Sequence, residues 1–371
     1  MAKKGKLGKM SLSQMRDLIN KKAGTNVAFD LRGENPTEVK DWIPTGSRWL
    51  DSIICRGQLA GIPTGKVVEL AGLEGSGKSY MAAQVAANAQ KMGIDVIYFD
   101  SESAIDPTFL ENAGCDLGSL LYVQATSVES VLETIEELLG SNESKMLFIW
   151  DSLALTPAIS DLEGDFNPQS SMAVKPRILA KGMSKITQQL ANTQSTFLVL
   201  NQLKTNITRS PSEAMVEPYV TPGGKAMHYA YSLRIWLTKR KAKASFIQDE
   251  NGFRVGSEVI VTLKKSRFGS EGRKCTFKIM WAGDVGVQDQ DSWFEAIKSS
   301  AKLGRSGSWY NLELEDGKTV KFQSKDWKDK LLDEKFKKAV LDIMDEEIVL
   351  KFEERKGDAS SYYNLDEEVK K

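Results

Sequence analysis

Between residues 66 and 240, short apolar runs rich in valine, isoleucine and phenylalanine alternate with longer stretches of helical periodicity. VVELAG (67–72), VIYFD (96–100), MLFIWD (146–151) and TFLVLNQ (196–202) lack polar alternation, the pattern of strands covered on both faces. Tyr80 to Met92, Val128 to Leu139 and Pro176 to Asn192 read as the intervening helices. This order predicts an α/β fold with a doubly wound, mostly parallel sheet, whose ligand site lies at the carboxyl ends of the strands.

Two stretches break the rhythm. Leu155 to Val174 and Lys204 to Pro222 are polar, contain Gly, Pro or Ser, and start just beyond strand ends, so long surface loops are expected over about 157–174 and 204–222. After Gly223-Gly224, SLRIWLTKR, SEVIVTLKKSR and CTFKIMW read as antiparallel strands, and the core is expected to end near Gly283. Beyond it, Ser292 to Leu303 and Asp333 to Ile343 read as helices around a WYNLEL strand. The expected organisation is an N-terminal arm (1–42), a core (43–285), a small C-terminal α/β domain (286–345) and an acidic tail (346–371).

Charge adds a gradient to this picture. Lysine plus arginine and aspartate plus glutamate both number 50, so the whole chain is neutral. The first 24 residues, however, carry Lys3, Lys4, Lys6, Lys9, Arg16, Lys21 and Lys22 against Asp17 alone, a basic arm, whereas the last thirty lean acidic. Cys55, Cys115 and Cys275 are distant and odd in number, which indicates neither a disulfide framework nor a zinc site. His228 is the single histidine, so histidine triads and multi-histidine metal sites are poor hypotheses. No apolar run reaches about 18 residues and the N-terminus has no apolar signal stretch, so a cytoplasmic protein with no membrane partner is expected.

The candidate chemistry begins at Gly72-Leu73-Glu74-Gly75-Ser76-Gly77-Lys78-Ser79, a GxxxxGK[ST] sequence between the strand VVELAG and the helix that starts at Tyr80. In that setting backbone N–H groups and a helix N-terminus surround phosphate oxygens, Lys78 reaches the β and γ phosphates of ATP, and Ser79 ligates Mg2+. Asp151 ends MLFIWD, where a carboxylate holds the same ion. Glu102 follows VIYFD on the same sheet edge and is suited to deprotonate a water; taken alone, such a residue is more often a solvated loop acid. Gln202, at the end of TFLVLNQ, reads either as a sensor of the γ phosphate or as an ordinary strand-end amide.

From about Ile43 to Gly286 the ordered set of segments resembles the bacterial RecA recombinases and their phage relatives of the UvsX kind. IPTGSRWLDSI, GIPTGKVVELAGLEGSGKS, FDSESAIDPTFLENAGCD, WDSLALTPAISDLEGD, NQLK and PGGKAMHYAYSLRIWLTKR carry it. The resemblance implies a RecA-like P-loop ATPase core that forms helical filaments on single-stranded DNA and pairs it with a homologous duplex, served by a single-strand-binding protein and a loader. It makes Glu102 the water-activating base and Gln202 the γ-phosphate sensor, and sets Asp106 and Phe109 near the adenine, Phe109 standing where the family usually has tyrosine. It makes Lys265 and Arg267 a pair that reaches a neighbour's ATP across the subunit interface, as an arginine finger does; from composition alone they read as an exposed basic hairpin.

For DNA, the resemblance assigns Arg177, Gly223 and Gly224 to the phosphate backbone and sets Lys225 where asparagine is common; Lys204 and Arg209 add charge in the second loop. Met172, Met215 and Tyr219 are candidates to wedge between or stack on bases. Ser184 departs from the family, which tends to have arginine there. The competing readings are a hexameric helicase on the same core, a non-catalytic recombination mediator, and a small-molecule P-loop kinase.

Overall fold

The computed structural model describes residues 9–33, 35–54, 57–103, 105–163, 174–207, 215, 217–239, 245–283 and 285–349. Strands β1 (Trp42–Ile43) and β2 (Ile62–Pro63) pair as a short antiparallel ribbon. β3 (Val67–Gly72), β4 (Asp95–Asp100), β5 (Leu120–Gln124), β6 (Met146–Asp151) and β7 (Thr196–Gln202) follow, with helices Lys78–Lys91, Val128–Ser141 and Val174–Thr193 between them. β8 (Lys204–Thr205) and β9 (Tyr219–Val220) form a second ribbon. β10 (Leu233–Thr238), β11 (Phe246–Gln248), β12 (Arg254–Ser266), β13 (Lys274–Met280) and β14 (Gly286–Val287) complete the main sheet, whose order is β14-β13-β12-β10-β3-β7-β6-β4-β5, with β11 on β12.

The strands from β10 to β5 along that order run parallel, and β11 to β14 are antiparallel. Side chains of the central strands divide between two cores. Val68, Leu70, Leu147 and Ile149 pack toward helix Lys78–Lys91. Val67, Met146, Phe148 and Trp150 pack toward helices Val128–Ser141 and Val174–Thr193, where Trp150 stacks on Phe197 at 6.0 Å between centroids. Covering both faces is why these strands are apolar at most positions without alternation, and each large apolar side chain so buried stabilises the fold by about 1.5–3 kcal/mol.

Several expectations need correction. LRIWLT does not belong to a purely antiparallel set: β10 is parallel to β3 on one side and antiparallel to β12 on the other. The helix expected over Ser292 to Leu303 runs Asp289–Ile297, and Leu303 opens β15 (Leu303–Ser306). WYNLEL is the middle strand β16 (Trp309–Glu313) of a three-stranded sheet closed by β17 (Thr319–Gln323), against which helix Glu334–Ile343 packs. The expected tail starting at 346 is also too long. Glu347 accepts from the Ser300 hydroxyl at 2.7 Å, Glu346 pairs with Lys302 at 2.5 Å and Val349 is buried, so the packed unit continues to the last described residue. Trp49 packs against both the main core and this unit, and Arg48 bonds Asp345 at 2.8 Å, which seats the unit on the core.

Candidate functional site

The register gathers the candidate residues along one edge. Gly72 pairs with Gln202 on β7 and Leu237 on β10, and Asp100 pairs with Asp151. The phosphate loop thus leaves the carboxyl end of a central strand, beside Gln202. Gly77 has φ 87° and caps helix Lys78–Lys91; a Cβ there would lie 2.4 Å from Ile279 Cδ1, so the close turn requires glycine. Lys78 Nζ donates to the carbonyls of Gly72 and Leu73 at 3.3 and 3.2 Å. Burial lowers its pKa, opposed by Asp151, Glu102 and Glu74. Ser76 is buried, and its Oγ has no hydrogen-bond partner among the described residues. Such an orphaned hydroxyl inside a phosphate loop suits an anionic ligand.

Asp151 is held from two sides. Tyr98 Oη donates to Oδ2 at 2.9 Å, and the Ser79 hydroxyl bonds the same carboxylate. Burial raises the Asp151 pKa, which these two hydrogen bonds oppose. Ser79 and Asp151 together suit a hard cation that keeps waters and phosphate oxygens as its other ligands. Among the described residues no group of three or more His, Cys, Asp or Glu forms an all-protein metal cage. Glu102 is exposed; its Oε1 accepts from Ser152 Oγ at 3.0 Å. The Asp100 carboxylate accepts from the Glu102 and Ser103 amides at 2.8 and 3.0 Å and from Tyr122 Oη at 3.1 Å, which fixes the turn that presents Glu102.

A cavity of about 670 Å³ opens over the loop, lined on one side by Gly75 to Tyr80, Asp106 and Phe109 and on the other by Lys239, Arg254, Ser257, Ile279, Met280 and Trp281. Asp106 caps helix Pro107–Asn112 by accepting from the Thr108 amide at 2.8 Å, and the Phe109 ring meets Tyr80 edge-on at 6.0 Å. Glu74 and Gly75 are exposed and Leu73 half-buried.

Lys265 and Arg267 are not in this cavity. Lys265 pairs with Arg234, which pairs with Glu69; Arg267 N donates to the Ser232 carbonyl, and Ser232 N to that of Val67. From that end of the sheet to Gly72 is roughly 10 Å or more at about 3.3 Å per residue. Both side chains point to the end of helix Gly224–Ala230, with Lys265 Nζ on the His228 carbonyl and Arg267 Nη2 on that of Tyr229, each at 2.6 Å.

The candidate DNA residues lie on neighbouring segments. Arg177 and Lys225 are exposed at the starts of helices Val174–Thr193 and Gly224–Ala230, and Lys204 is exposed on β8. Gly223 and Gly224, at φ 111° and 77°, make the turn before the second helix, and a Cβ on Gly224 would lie 3.2 Å from Pro176 Cβ. Met215 is exposed, whereas Tyr219 is half-buried against Ala71, Leu203 and Trp236, which counts against it as a free stacking platform. Arg209 and Met172 lie outside the described residues.

Sequence reasoning missed the polar cluster beneath. Arg234 Nε donates to Glu69 Oε2 at 2.6 Å and Nη2 to Thr221 Oγ1 at 2.9 Å; Asn201 Nδ2 donates to Glu69 Oε1 at 3.1 Å and to the Pro222 carbonyl at 2.9 Å. It joins the phosphate-loop strand, the Gln202 strand and the exit of the second loop. Its signal was present: charged or amide residues inside otherwise apolar strands need partners. Lys175 was missed as well. Its Nζ donates to the carbonyls of Leu153 and Thr156, each at 2.6 Å, tying the segment after Asp151 to the helix that carries Arg177.

A phosphate loop at the centre of a parallel sheet, with a magnesium-type carboxylate and a candidate base on adjacent strand ends, defines a P-loop nucleotide-binding protein. The RecA N-terminal domain family model matches residues 10–286. Among curated proteins, the chain is 30% identical to protein RecA of Fusobacterium nucleatum subsp. nucleatum over 295 residues, 79% of this chain and 73% of that one. It is 28% identical to protein RecA of Chlamydia felis over 345 residues (92% and 94%), and 30% identical to protein RecA of Saccharopolyspora erythraea over 312 (84% and 84%). The chain belongs to the RecA family and is a RecA-like recombinase of DNA strand exchange and repair. That family is in general one of DNA-dependent ATPases that use ATP and Mg2+, bind DNA and form filaments. Among the described residues no helix is long and apolar enough to cross a membrane.

Proposed function

We propose that this protein assembles on single-stranded DNA with ATP, exchanges strands with a homologous duplex, and hydrolyses ATP to ADP and phosphate as the filament turns over. One observation supports this above the others: Lys265 and Arg267 sit at the opposite end of the sheet from the phosphate loop of their own chain. If they act on a nucleotide, it is a neighbour's, so that assembly and chemistry are coupled.

In this reading Lys78 exchanges its carbonyl partners for β- and γ-phosphate oxygens. Ser79 and Asp151 are the residues that would hold Mg2+, which supplies neutralisation of phosphate charge when bound. Glu102 accepts the proton of the attacking water, its carboxylate oriented by Ser152. Gln202, on the rung of Gly72, meets the terminal phosphate and passes its presence to the loop that begins at Lys204. Arg177, Lys204 and Lys225, with the amides of Gly223 and Gly224, follow the DNA backbone, whose contacts carry no sequence information and so leave recognition to base pairing. Helix Leu12–Ala23 buries none of its residues and exposes Leu12, Met15, Leu18 and Ile19, a stripe suited to a neighbouring protomer.

The test mixes two inactive variants. Glu102→Ala keeps Lys265 and Arg267 but lacks the base; the double variant Lys265→Ala, Arg267→Ala keeps the base but lacks the cations. Each alone should show no ATPase activity stimulated by single-stranded DNA, and the mixture should recover part of it. A mixture as inactive as its components overturns the shared site.

A further inference from the structure

The nucleotide cavity has a wall that the phosphate-loop motifs do not explain. Lys239, the residue after β10, donates from Nζ to the Glu74 carbonyl at 3.1 Å, and its Nζ lies 3.2 Å from where a Cβ on Gly75 would be. Arg254, the first residue of β12, reaches the same cavity. Its guanidinium carbon lies 3.9 Å from the centroid of Phe246 and 5.0 Å from that of Trp281, and Nη2 bonds Ser257 Oγ. The two rings and Ser257 together hold the guanidinium in the cavity wall.

Neither cation is in an ion pair with a carboxylate among the described residues. Burial lowers the Lys239 pKa, and the charges of Arg254 and Lys78 lower it further, with Glu74 opposing. Lys78, Lys239 and Arg254 therefore converge on one cavity, where the charges of Lys78 and Arg254 both disfavour the protonated form of Lys239. A site so arranged favours a polyanion, because ligand charge relieves the repulsion and repays the desolvation of the lysines.

We propose that Lys239 and Arg254 are triphosphate-binding residues acting within their own subunit, Lys239 at the phosphate loop and Arg254 from the cavity mouth. The proposal rests on the nucleotide-site reading above and divides the labour of the cations. Lys239 and Arg254 supply ground-state affinity, so that one protomer captures ATP before its neighbour arrives, while Lys265 and Arg267 contribute only once two protomers meet.

The experiment is calorimetric titration of ATP, ADP and AMP, with Mg2+ and without DNA, into wild type, Lys239→Gln, Arg254→Gln and Lys239→Arg. Thermal melts establish that each variant is folded. A charge-assisted hydrogen bond contributes about 1.5–3 kcal/mol, so each glutamine variant should weaken ATP binding by about tenfold or more. AMP should change much less, which lowers the ATP-to-AMP preference, and Lys239→Arg should retain most of the affinity. Unchanged ATP affinity in both glutamine variants, or an equal loss for ATP and AMP, overturns the proposal. A wild type that binds no ATP, or a Lys78→Ala variant that binds it normally, would instead sink the nucleotide site itself.

Discussion

The hydroxyl of Tyr98, buried in the middle of β4, donates to Asp151 Oδ2 at 2.9 Å from the neighbouring strand. It aims the carboxylate toward Ser79 and occupies one of its acceptor sites. Removing the partner of a metal-holding carboxylate typically lowers metal affinity by about 10- to 100-fold. Tyr98→Phe, which keeps the buried ring, should raise the Mg2+ concentration for half-maximal ATPase activity by about tenfold and leave the ATP KM at saturating Mg2+ nearly unchanged. A Mg2+ titration coincident with wild type would remove Tyr98 from the site.

Ser152 stands in the same relation to Glu102, 3.0 Å from its Oε1. Glu102→Gln should reduce kcat by about 10²–10⁴-fold, the usual contribution of a general base, while nucleotide binding persists. Ser152→Ala should lower kcat by a smaller factor with ATP KM unchanged. Single-turnover hydrolysis with DNA present separates these two effects, and a normal rate in Glu102→Gln would refute the base assignment.

The Glu69–Arg234 pair is buried, with Arg234 also committed to Thr221. Truncating one member leaves an uncompensated buried charge, which costs about 3–5 kcal/mol. Arg234→Ala should be destabilised by that much in urea unfolding. Replacing both residues with apolar ones of similar volume should be much milder. Equal losses in the single and double variants would mean that packing, not charge, sets the cost.

Burial pushes Asp51 up to about 8 from 3.8, although its Oδ1 accepts from the Thr45 amide and hydroxyl. A folded-state pKa above the unfolded one means that the protonated acid is the stable native form. Its contribution is complete below about pH 4 and is lost as pH rises through 8. Asp51→Asn should therefore gain stability relative to wild type as pH increases from 4 to 8, with no further gain above. Asp289, nearby and raised to about 6 by burial, remains in both proteins and its charge helps to raise Asp51, so the difference in melting temperature reports the ionisation of Asp51 together with that coupling. A difference that does not vary with pH would show that Asp51 ionises normally.

The strands and the phosphate loop were legible because double-sided burial writes uninterrupted apolar runs, and a tight phosphate turn demands glycine at set positions. β6 and β7 end where the sequence implied, at Asp151 and Gln202. β5 was missed because it is an edge strand with Leu121 and Tyr122 exposed, so it lacks the uninterrupted burial that marks the central strands. The parallel pairing of β10 was not readable either, because strand direction depends on which neighbour a segment finds, not on its own composition. Tyr98, Lys175 and Arg254 escaped for a related reason. Each acts on a residue 19 or more positions away, and no local spacing encodes such a contact.

On the proposed reading, in which Lys265 and Arg267 act on a neighbour's nucleotide, their location opposite the phosphate loop gives every linear array of these molecules a direction. The subunit at one terminus would display a loaded nucleotide with no cations facing it, and the subunit at the other would display cations with nothing to act on. Complete catalytic centres then number one fewer than the molecules in the row, and the two termini are chemically unlike, so gain and loss of subunits there need not proceed at the same rate.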